Sequence, residues 1–231
     1  ALAGGGLTRG TSTLLMGPAG TGKSTVAIQY AKAAADAGEH AAVFTFDEST
    51  TTLLARSAGV GQNLEATIAS GAIEIRQVDP AELAPGEFTH AVRAAVEERG
   101  ARVIVIDSLN GYLHAMPEEH FLTLQLHELL TYLGQRGVIT VMVVAQHGLV
   151  GASMQSPIDV SYLADAVMVF RHVETDGQLR KAISMLKRRT GSHERTIREL
   201  SIGKAGLQVG EPMHGLQGLL TGLPTRAQDF G

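Results

Sequence analysis

The chain has 231 residues, 44% of them hydrophobic, which is enough to bury the core of one large domain. A formal net charge of −4 at pH 7 gives no general attraction to nucleic acid or to an anionic membrane, so neither is an expected partner. There is no cysteine, which excludes disulfides and thiolate metal sites, and no apolar run approaches the ~20 residues of a membrane span, so we expect a cytoplasmic protein.

The start of the chain, residues 1–10, is glycine-rich and typical of a linker, so we expect one folded domain over residues 11–231. In that domain, apolar runs predict strands and helical periodicity predicts the helices between them. The strands are expected near 12–16, 41–46, 73–78, 102–106, 138–145 and 166–170, and the helices over 23–37, 50–58, 87–99 and 119–135. The helices are expected to stop at Gly38, Gly59, Gly100 and Gly137. This alternation predicts an α/β fold with a largely parallel central sheet flanked by helices.

After Asp165 the pattern changes to runs that are typical of antiparallel strands. Residues 182–186 and 196–200 are two such runs, and Thr175, Asp176 and Gly177 form a turn signal before the first of them. We expect these strands to be added to the edge of the sheet near the C-terminus.

A glycine-rich segment between the first predicted strand and the first predicted helix fits the phosphate-loop pattern G-x-x-x-x-G-K-[ST] at every position. The segment consists of Gly17, Pro18, Ala19, Gly20, Thr21, Gly22, Lys23, Ser24 and Thr25. Backbone N–H groups in such a loop point at phosphates, and side chains in place of its glycines would obstruct the turn. Lys23 can then reach the β- and γ-phosphates of a bound nucleotide, and the Ser24 hydroxyl can bind Mg²⁺. The alternative is a glycine turn that merely precedes a helix, and the strand-loop-helix context disfavours it.

Asp107 ends the apolar strand predicted at 102–106 and is followed by Ser108. In a phosphate-loop protein this is the place of the Walker-B aspartate, which helps to hold Mg²⁺ near Ser24. Alone, such an aspartate would more often be a turn or a helix cap. Together with the phosphate loop, it favours the metal role.

Two adjacent carboxylates, Asp47 and Glu48, follow the strand predicted at 41–46. Open α/β sheets place their chemistry at this carboxyl edge. A carboxylate there can orient or deprotonate a water or hydroxyl in line with the γ-phosphate, so we expect one of the two to act as the catalytic base. The alternative is that Asp47 caps the following helix together with Ser49 and Thr50.

These segments together resemble the KaiC family of RecA-like ATPases. The resemblance runs from about residue 5 to 226 and is carried by residues 17–25, 46–49, 106–109, 187–193 and 221–226. It implies a RecA-like P-loop fold and Mg-ATP bound at the subunit interfaces of a hexamer. It further implies ATPase activity with possible serine autophosphorylation, signalling protein partners of a circadian or other kind, and a longer protein in which this domain is one of two.

The resemblance also implies roles for residues near ATP. Asp47 and Glu48 match a pair of acidic residues, commonly two glutamates, and Glu48 is expected to join Ser24 and Asp107 around Mg²⁺.

Three further residues are expected to act from a neighbouring subunit. Lys187, Arg189 and His193 match residues that reach ATP bound by the next chain. Cations near a transferring phosphoryl group stabilise its charge. By composition alone, residues 187–189 are also typical of a solvated basic strand end.

Two more positions are assigned by their place in the chain. Ser161 matches a phosphoacceptor position of the family, and the neighbouring acceptor position holds the bulkier Tyr162. A hydroxyl bonded to the backbone is an equal alternative for Ser161. Gln146 follows the strand predicted at 138–145, where RecA-like ATPases often sense the γ-phosphate, although a simple strand-end polar residue is almost as well supported.

Two rival functions remain open. A RecA- or RadA-like DNA-dependent ATPase needs basic or aromatic loops, yet no Lys or Arg lies between Arg136 and Arg171, so nucleic acid is an unlikely partner. A nucleotide-switched scaffold would bind ATP to hold a ring together and turn it over little.

Overall fold

The computed structural model describes residues 2–79, 85–114, 119–146, 160–175, 177–214, 216–217 and 225–226. The helices are α1 (Lys23–Asp36), α2 (Thr50–Gly59), α3 (Glu65–Ala69), α4 (Pro85–Glu97), α5 (Leu109–His114) and α6 (Glu119–Gln135). The strands of the main sheet are β1 (Ser12–Gly17), β2 (His40–Thr45), β3 (Ile73–Gln77), β4 (Ala101–Asp107), β5 (Ile139–Ala145), β6 (Ala166–Thr175), β7 (Gln178–Arg188), β8 (Arg198–Gly203) and β9 (Gly206–Pro212). A separate pair consists of β10 (Leu216–Gln217) and β11 (Thr225–Arg226).

The main sheet has nine strands in the order β3-β2-β4-β5-β1-β6-β7-β8-β9. The strands from β3 to β6 run parallel, and β1 lies between β5 and β6. From β6 to β9 the pairing is antiparallel. The predicted α/β fold, with a largely parallel sheet and antiparallel strands near the C-terminus, is therefore confirmed.

Both faces of the parallel part are covered, which explains why its strands read as continuous apolar runs. Leu14 of β1 packs in the core on the face covered by α4, α5 and α6, and the next residue, Leu15, packs on the face covered by α1 and α2. Successive side chains of a strand point to opposite faces, so a strand buried on both faces needs apolar residues at every position.

The predicted elements agree with the structure to within a few residues, except that β6 continues to Thr175. The short helices α3 and α5 and the strands β9, β10 and β11 were not predicted. The predicted stop at Gly59 is wrong, because α2 includes this residue and the left-handed turn falls on Gly61, with φ of +75°. Gly59 itself does not have a positive φ.

The first described residues pack against the domain, although their composition resembles a linker. Leu2 and Ala3 are buried in the core. The guanidinium of Arg188 donates hydrogen bonds to the carbonyl oxygens of Ala3 and of Gly6. Among the described helices, none is both long and apolar enough to cross a lipid bilayer.

Candidate nucleotide-binding site

The phosphate loop connects β1 to α1 and requires glycine for two different reasons. Gly20 and Gly22 have φ of +77° and +100°, a region that residues with a Cβ rarely adopt. A Cβ on Gly17 would lie 2.3 Å from the carbonyl oxygen of Phe170 on the neighbouring strand. The loop therefore depends both on backbone freedom and on close packing against β6.

Lys23 begins α1 and lies buried at the base of this loop. Its Nζ donates a hydrogen bond to the carbonyl oxygen of Pro18 over 2.7 Å, and the Thr21 hydroxyl donates to the same oxygen. Burial lowers the pKa of Lys23 to about 8, and the nearby Asp107 carboxylate opposes this shift. No side chain caps the N-terminus of α1, so its positive dipole end is available to an anion.

Asp107 lies at the carboxyl end of β4, beside the start of α1. The Ser24 side chain forms a hydrogen bond with it. Burial raises the pKa of the Asp107 carboxyl group, while the Ser24 hydrogen bond and the charge of Arg56 lower it and the nearby Glu48 and Asp47 raise it. The structure thus brings together Ser24 and Asp107, two of the three residues predicted to hold Mg²⁺.

Asp47 is fixed by packing behind it and by a hydroxyl in front of it. The preceding Phe46 is buried against Phe88 and Tyr112, with ring centroids 5.4 and 6.0 Å apart. Asp47 Oδ2 accepts a short hydrogen bond from the Ser108 hydroxyl, on the loop that follows β4.

The alternative in which Asp47 caps α2 is wrong. The cap is Ser49, whose hydroxyl oxygen accepts a hydrogen bond from the backbone N–H of Thr52 over 3.2 Å. Asp47 is left to face the cavity.

Glu48 is held by a bidentate ion pair with Arg56. Arg56 of α2 donates from Nε to Glu48 Oε1 over 3.0 Å and from Nη2 to Oε2 over 2.7 Å. The two adjacent carboxylates therefore differ in environment, since Asp47 accepts from a hydroxyl and Glu48 faces a guanidinium.

These side chains line one cavity of about 570 Å³ at the carboxyl end of the parallel strands. Its walls include the phosphate loop, the three predicted carboxylates and the apolar side chains of Val60 and Ile202. The described residues contain no group of three or more His, Asp or Glu side chains placed to hold a metal by themselves. A hydroxyl and one or two carboxylates fit Mg²⁺, which usually takes its remaining ligands from phosphate and water.

Gln146 is buried beside the same loop. Its backbone N–H donates to the carbonyl oxygen of Gly17 over 3.0 Å, and its Oε1 accepts from Nη1 of the buried Arg171 over 2.5 Å. Burial lowers the pKa of Arg171. The predicted sensor residue thus contacts the phosphate loop through its backbone and a buried cation through its side chain.

The residues predicted to act in a neighbouring subunit lie at the other end of the sheet. Lys187 Nζ donates to the carbonyl oxygens of Ser161 and Ala164 over 3.0 and 2.9 Å, and Arg189 Nη2 donates to that of Tyr162 over 3.1 Å. These carbonyl oxygens belong to the segment before β6, in which the backbone N–H of Asp165 donates to the carbonyl oxygen of Ser12 at the start of β1. The phosphate loop follows the opposite end of β1. With a rise of ~3.3 Å per residue, β1 separates the two by roughly 17 Å. The structure therefore does not bring Lys187, Arg189 or Ser161 to the phosphate loop of their own chain, and no described hydrogen bond places His193 there.

Sequence reasoning missed three cations at or beside the cavity: Arg56, Arg171 and Lys181. A signal existed for Arg171, because it directly follows the buried run 166–170 and a charge in a buried strand needs a partner. Arg56 and Lys181 carry no local signal, since their place depends on how α2 and β7 pack against the loop.

Comparison with known proteins places this architecture in a family. The sequence model of the KaiC ATPase family matches residues 1–214. The chain belongs to the KaiC ATPase family. Its sheet is that of the RecA-like P-loop fold expected for the family, with the phosphate loop after the central strand β1.

Several curated KaiC proteins match nearly the whole of this chain. The circadian clock protein KaiC3 of Synechocystis sp. is 24% identical over 223 residues, which cover 96% of the chain and 44% of the relative. The circadian clock oscillator proteins KaiC of Acaryochloris marina and Synechococcus elongatus are 23% and 22% identical over 225 residues, or 97% of the chain and 43% of each relative. The chain therefore spans less than half the length of these relatives.

Proposed function

We propose that this KaiC-family domain binds Mg-ATP in the cavity at the end of β1 and hydrolyses it to ADP and phosphate. The observation that carries the proposal is the convergence of Lys23, Asp107 and the Asp47–Glu48 pair on one cavity. A phosphate loop alone supports binding, whereas acidic side chains opposite it supply what hydrolysis needs.

Each proposed role follows from charge and position. Backbone N–H groups of residues 17–25 and the Lys23 ammonium hold the phosphates. Ser24, Asp107 and Glu48 would hold Mg²⁺, which would neutralise phosphate charge there. Either Asp47 or Glu48 accepts the proton of the attacking water.

The proposed active assembly is a ring, with a hexamer as the expected form. Lys187 and Arg189 lie at the end of the sheet away from their own phosphate loop, so they can serve ATP only in a neighbouring chain. The family resemblance groups His193 with them. Cations supplied there would stabilise charge that develops as the γ-phosphate leaves. In this proposal the domain is one of two in a longer protein, and signalling partners of a circadian or other kind read the nucleotide state.

The first test is ATP binding and phosphate release by the purified chain, compared with Lys23→Ala. The matched control is Lys32→Ala, on the same helix, which removes only an ion pair with Asp36. We expect Lys23→Ala to abolish binding and turnover and Lys32→Ala to behave as wild type. Binding without turnover in the wild type would contradict hydrolysis and favour the nucleotide-switched scaffold. Turnover only with added single-stranded DNA would favour the RecA-like alternative.

Serine autophosphorylation is a further part of the proposal, with Ser161 as the acceptor. The carbonyl oxygen of this residue accepts from Lys187, so a neighbour's ATP that meets Lys187 also approaches Ser161. Intact-mass spectrometry after incubation with Mg-ATP tests this. We expect a phosphate adduct in the wild type that is lost in Ser161→Ala, and an adduct retained in Ser161→Ala would contradict this acceptor.

A further inference from the structure

We propose that Arg56 is a positioning residue for hydrolysis: it fixes the Glu48 carboxylate relative to the helix that begins with Lys23 and Ser24. This inference rests on the proposed function and specifies which of the two adjacent carboxylates meets the attacking water.

The first step is the geometry of the ion pair. Arg56 uses Nε and Nη2 for the two oxygens of Glu48, at 3.0 and 2.7 Å. This two-pronged arrangement fixes both the place and the plane of the carboxylate, which a single hydrogen bond does not. An ionised carboxylate has about four acceptor sites. The pair with Arg56 occupies one on each oxygen, so Glu48 keeps acceptor sites for a water molecule or the metal shell.

The second step is the third contact of Arg56. Its Nη1 donates to the Thr25 hydroxyl over 3.3 Å. Thr25 belongs to α1 and directly follows Ser24, whereas Arg56 belongs to α2. One guanidinium therefore ties Glu48 to the helix whose first turn faces the phosphates, and a shift of α1 on nucleotide binding would move the carboxylate with it.

The third step is charge. Three carboxylates line the cavity that must accept an anionic nucleotide, namely Asp47, Glu48 and Asp107. The positive charge of Arg56 compensates the negative charge of Glu48 at this cavity. The side chains of Arg56 and Glu48 are only 28% and 23% exposed, so solvent screens their interaction incompletely. Asp47 has no such partner among its described contacts and accepts from Ser108 instead. Glu48 is thus oriented through both of its oxygens, whereas the described contacts hold Asp47 through one.

The test compares Arg56→Gln and Arg56→Lys in steady-state ATP hydrolysis. Gln keeps a donor but no charge, and Lys keeps the charge but not the fork. Loss of orientation should lower kcat about tenfold to a hundredfold in Arg56→Gln, with KM changed less than about threefold, and Arg56→Lys should recover part of kcat. The matched control is Arg93→Gln, which breaks the exposed pair with Glu97 and should leave both constants unchanged. If Arg56→Gln does not fold, as judged by thermal melting, Arg56→Lys alone is compared and should show a lower kcat with KM retained.

A double-mutant cycle with Glu48→Gln separates positioning from a general structural effect. If Arg56 acts through Glu48, the double variant should be no slower than Glu48→Gln alone. Wild-type kcat in Arg56→Gln, faster turnover in Arg56→Gln, wild-type kcat in Glu48→Gln, or multiplying losses in the double variant would each overturn the inference. A wild-type chain without turnover would instead contradict the proposed function, so the two failures are distinguishable.

Discussion

Arg171 and Gln146 share a buried hydrogen bond beside the phosphate loop, from Nη1 to Oε1 over 2.5 Å. The backbone N–H of Gln146 donates in turn to the carbonyl oxygen of Gly17. A buried guanidinium is costly unless its donors are satisfied, and the Nε of Arg171 has no partner in the described residues. Gln146 therefore links the start of the phosphate loop to a buried charge that has an unsatisfied donor. A change at the loop on nucleotide binding would reach Arg171 through this residue, as the sensor hypothesis requires.

Removing the amide should destabilise the fold. We expect Gln146→Leu to lower the free energy of unfolding by about 2 kcal/mol, because it leaves a buried charged donor without its acceptor. Replacing both partners, as Gln146→Leu with Arg171→Met, should cost less than the sum of the single changes. Urea unfolding of the four proteins measures this. A Gln146→Leu variant as stable as the wild type would contradict the role of the pair.

How far the sequence predicts this site depends on whether a contact is local. The phosphate loop, Asp107 and the Asp47–Glu48 pair were predicted because each follows a strand, and the carboxyl ends of parallel strands meet at one edge of the sheet. The contacts of Arg56 were not predicted, since they require the packing of α2 against α1, which no periodicity encodes. The five-residue α3 and six-residue α5 were missed because they are too short to show a helical pattern.

The pKa of Lys23 predicts a pH dependence of ATP binding. Burial lowers this pKa to about 8 in the protein without nucleotide, so the ammonium is mostly charged below that pH and mostly neutral above it. Phosphates favour the charged form, so binding above about pH 8 must take up a proton and the affinity falls, by at most about tenfold per pH unit. Titration with a fluorescent ATP analogue from about pH 7 to about pH 9.5 measures this. The control is Lys23→Met, which should bind weakly and with little change over this range, and parallel pH profiles in the two proteins would contradict the assignment.

Two glycines with positive φ should respond very differently to alanine. Gly38 has φ of +79° and nothing within 4 Å of an added Cβ, so Gly38→Ala should cost about 1 kcal/mol for the backbone conformation alone. At Gly17 the Cβ would also lie 2.3 Å from a backbone oxygen of β6, which cannot move without shifting the strand. We expect Gly17→Ala to cost more than about 3 kcal/mol in urea unfolding. Equal losses in the two variants would show that β6 yields to the added methyl group.

The trans-acting role of Arg189 can be tested by mixing a slow variant with an inactive one. The guanidinium of Arg189 is half exposed in the wild type and, among the described residues, contacts only Asp165 and the Tyr162 carbonyl oxygen. The Arg189→Ala variant keeps its own phosphate loop. We therefore expect this variant to bind ATP as the wild type does and to release phosphate slowly. Lys23→Ala lacks a working phosphate loop but retains Arg189.

In a mixed ring, some interfaces combine the intact phosphate loop of an Arg189→Ala chain with the intact Arg189 of a Lys23→Ala chain. Such an interface contains every proposed group. Random mixing of equal amounts produces about one such interface in four, because neighbours in a ring contact each other head to tail. Phosphate release by the mixture should then rise to about a quarter of the wild-type rate if interfaces act independently. Arg189 cannot reach the phosphate loop of its own chain, so a gain in the mixture would have to come from the interface. A mixture no faster than the average of the two variants measured separately would mean that Arg189 does not act across the interface.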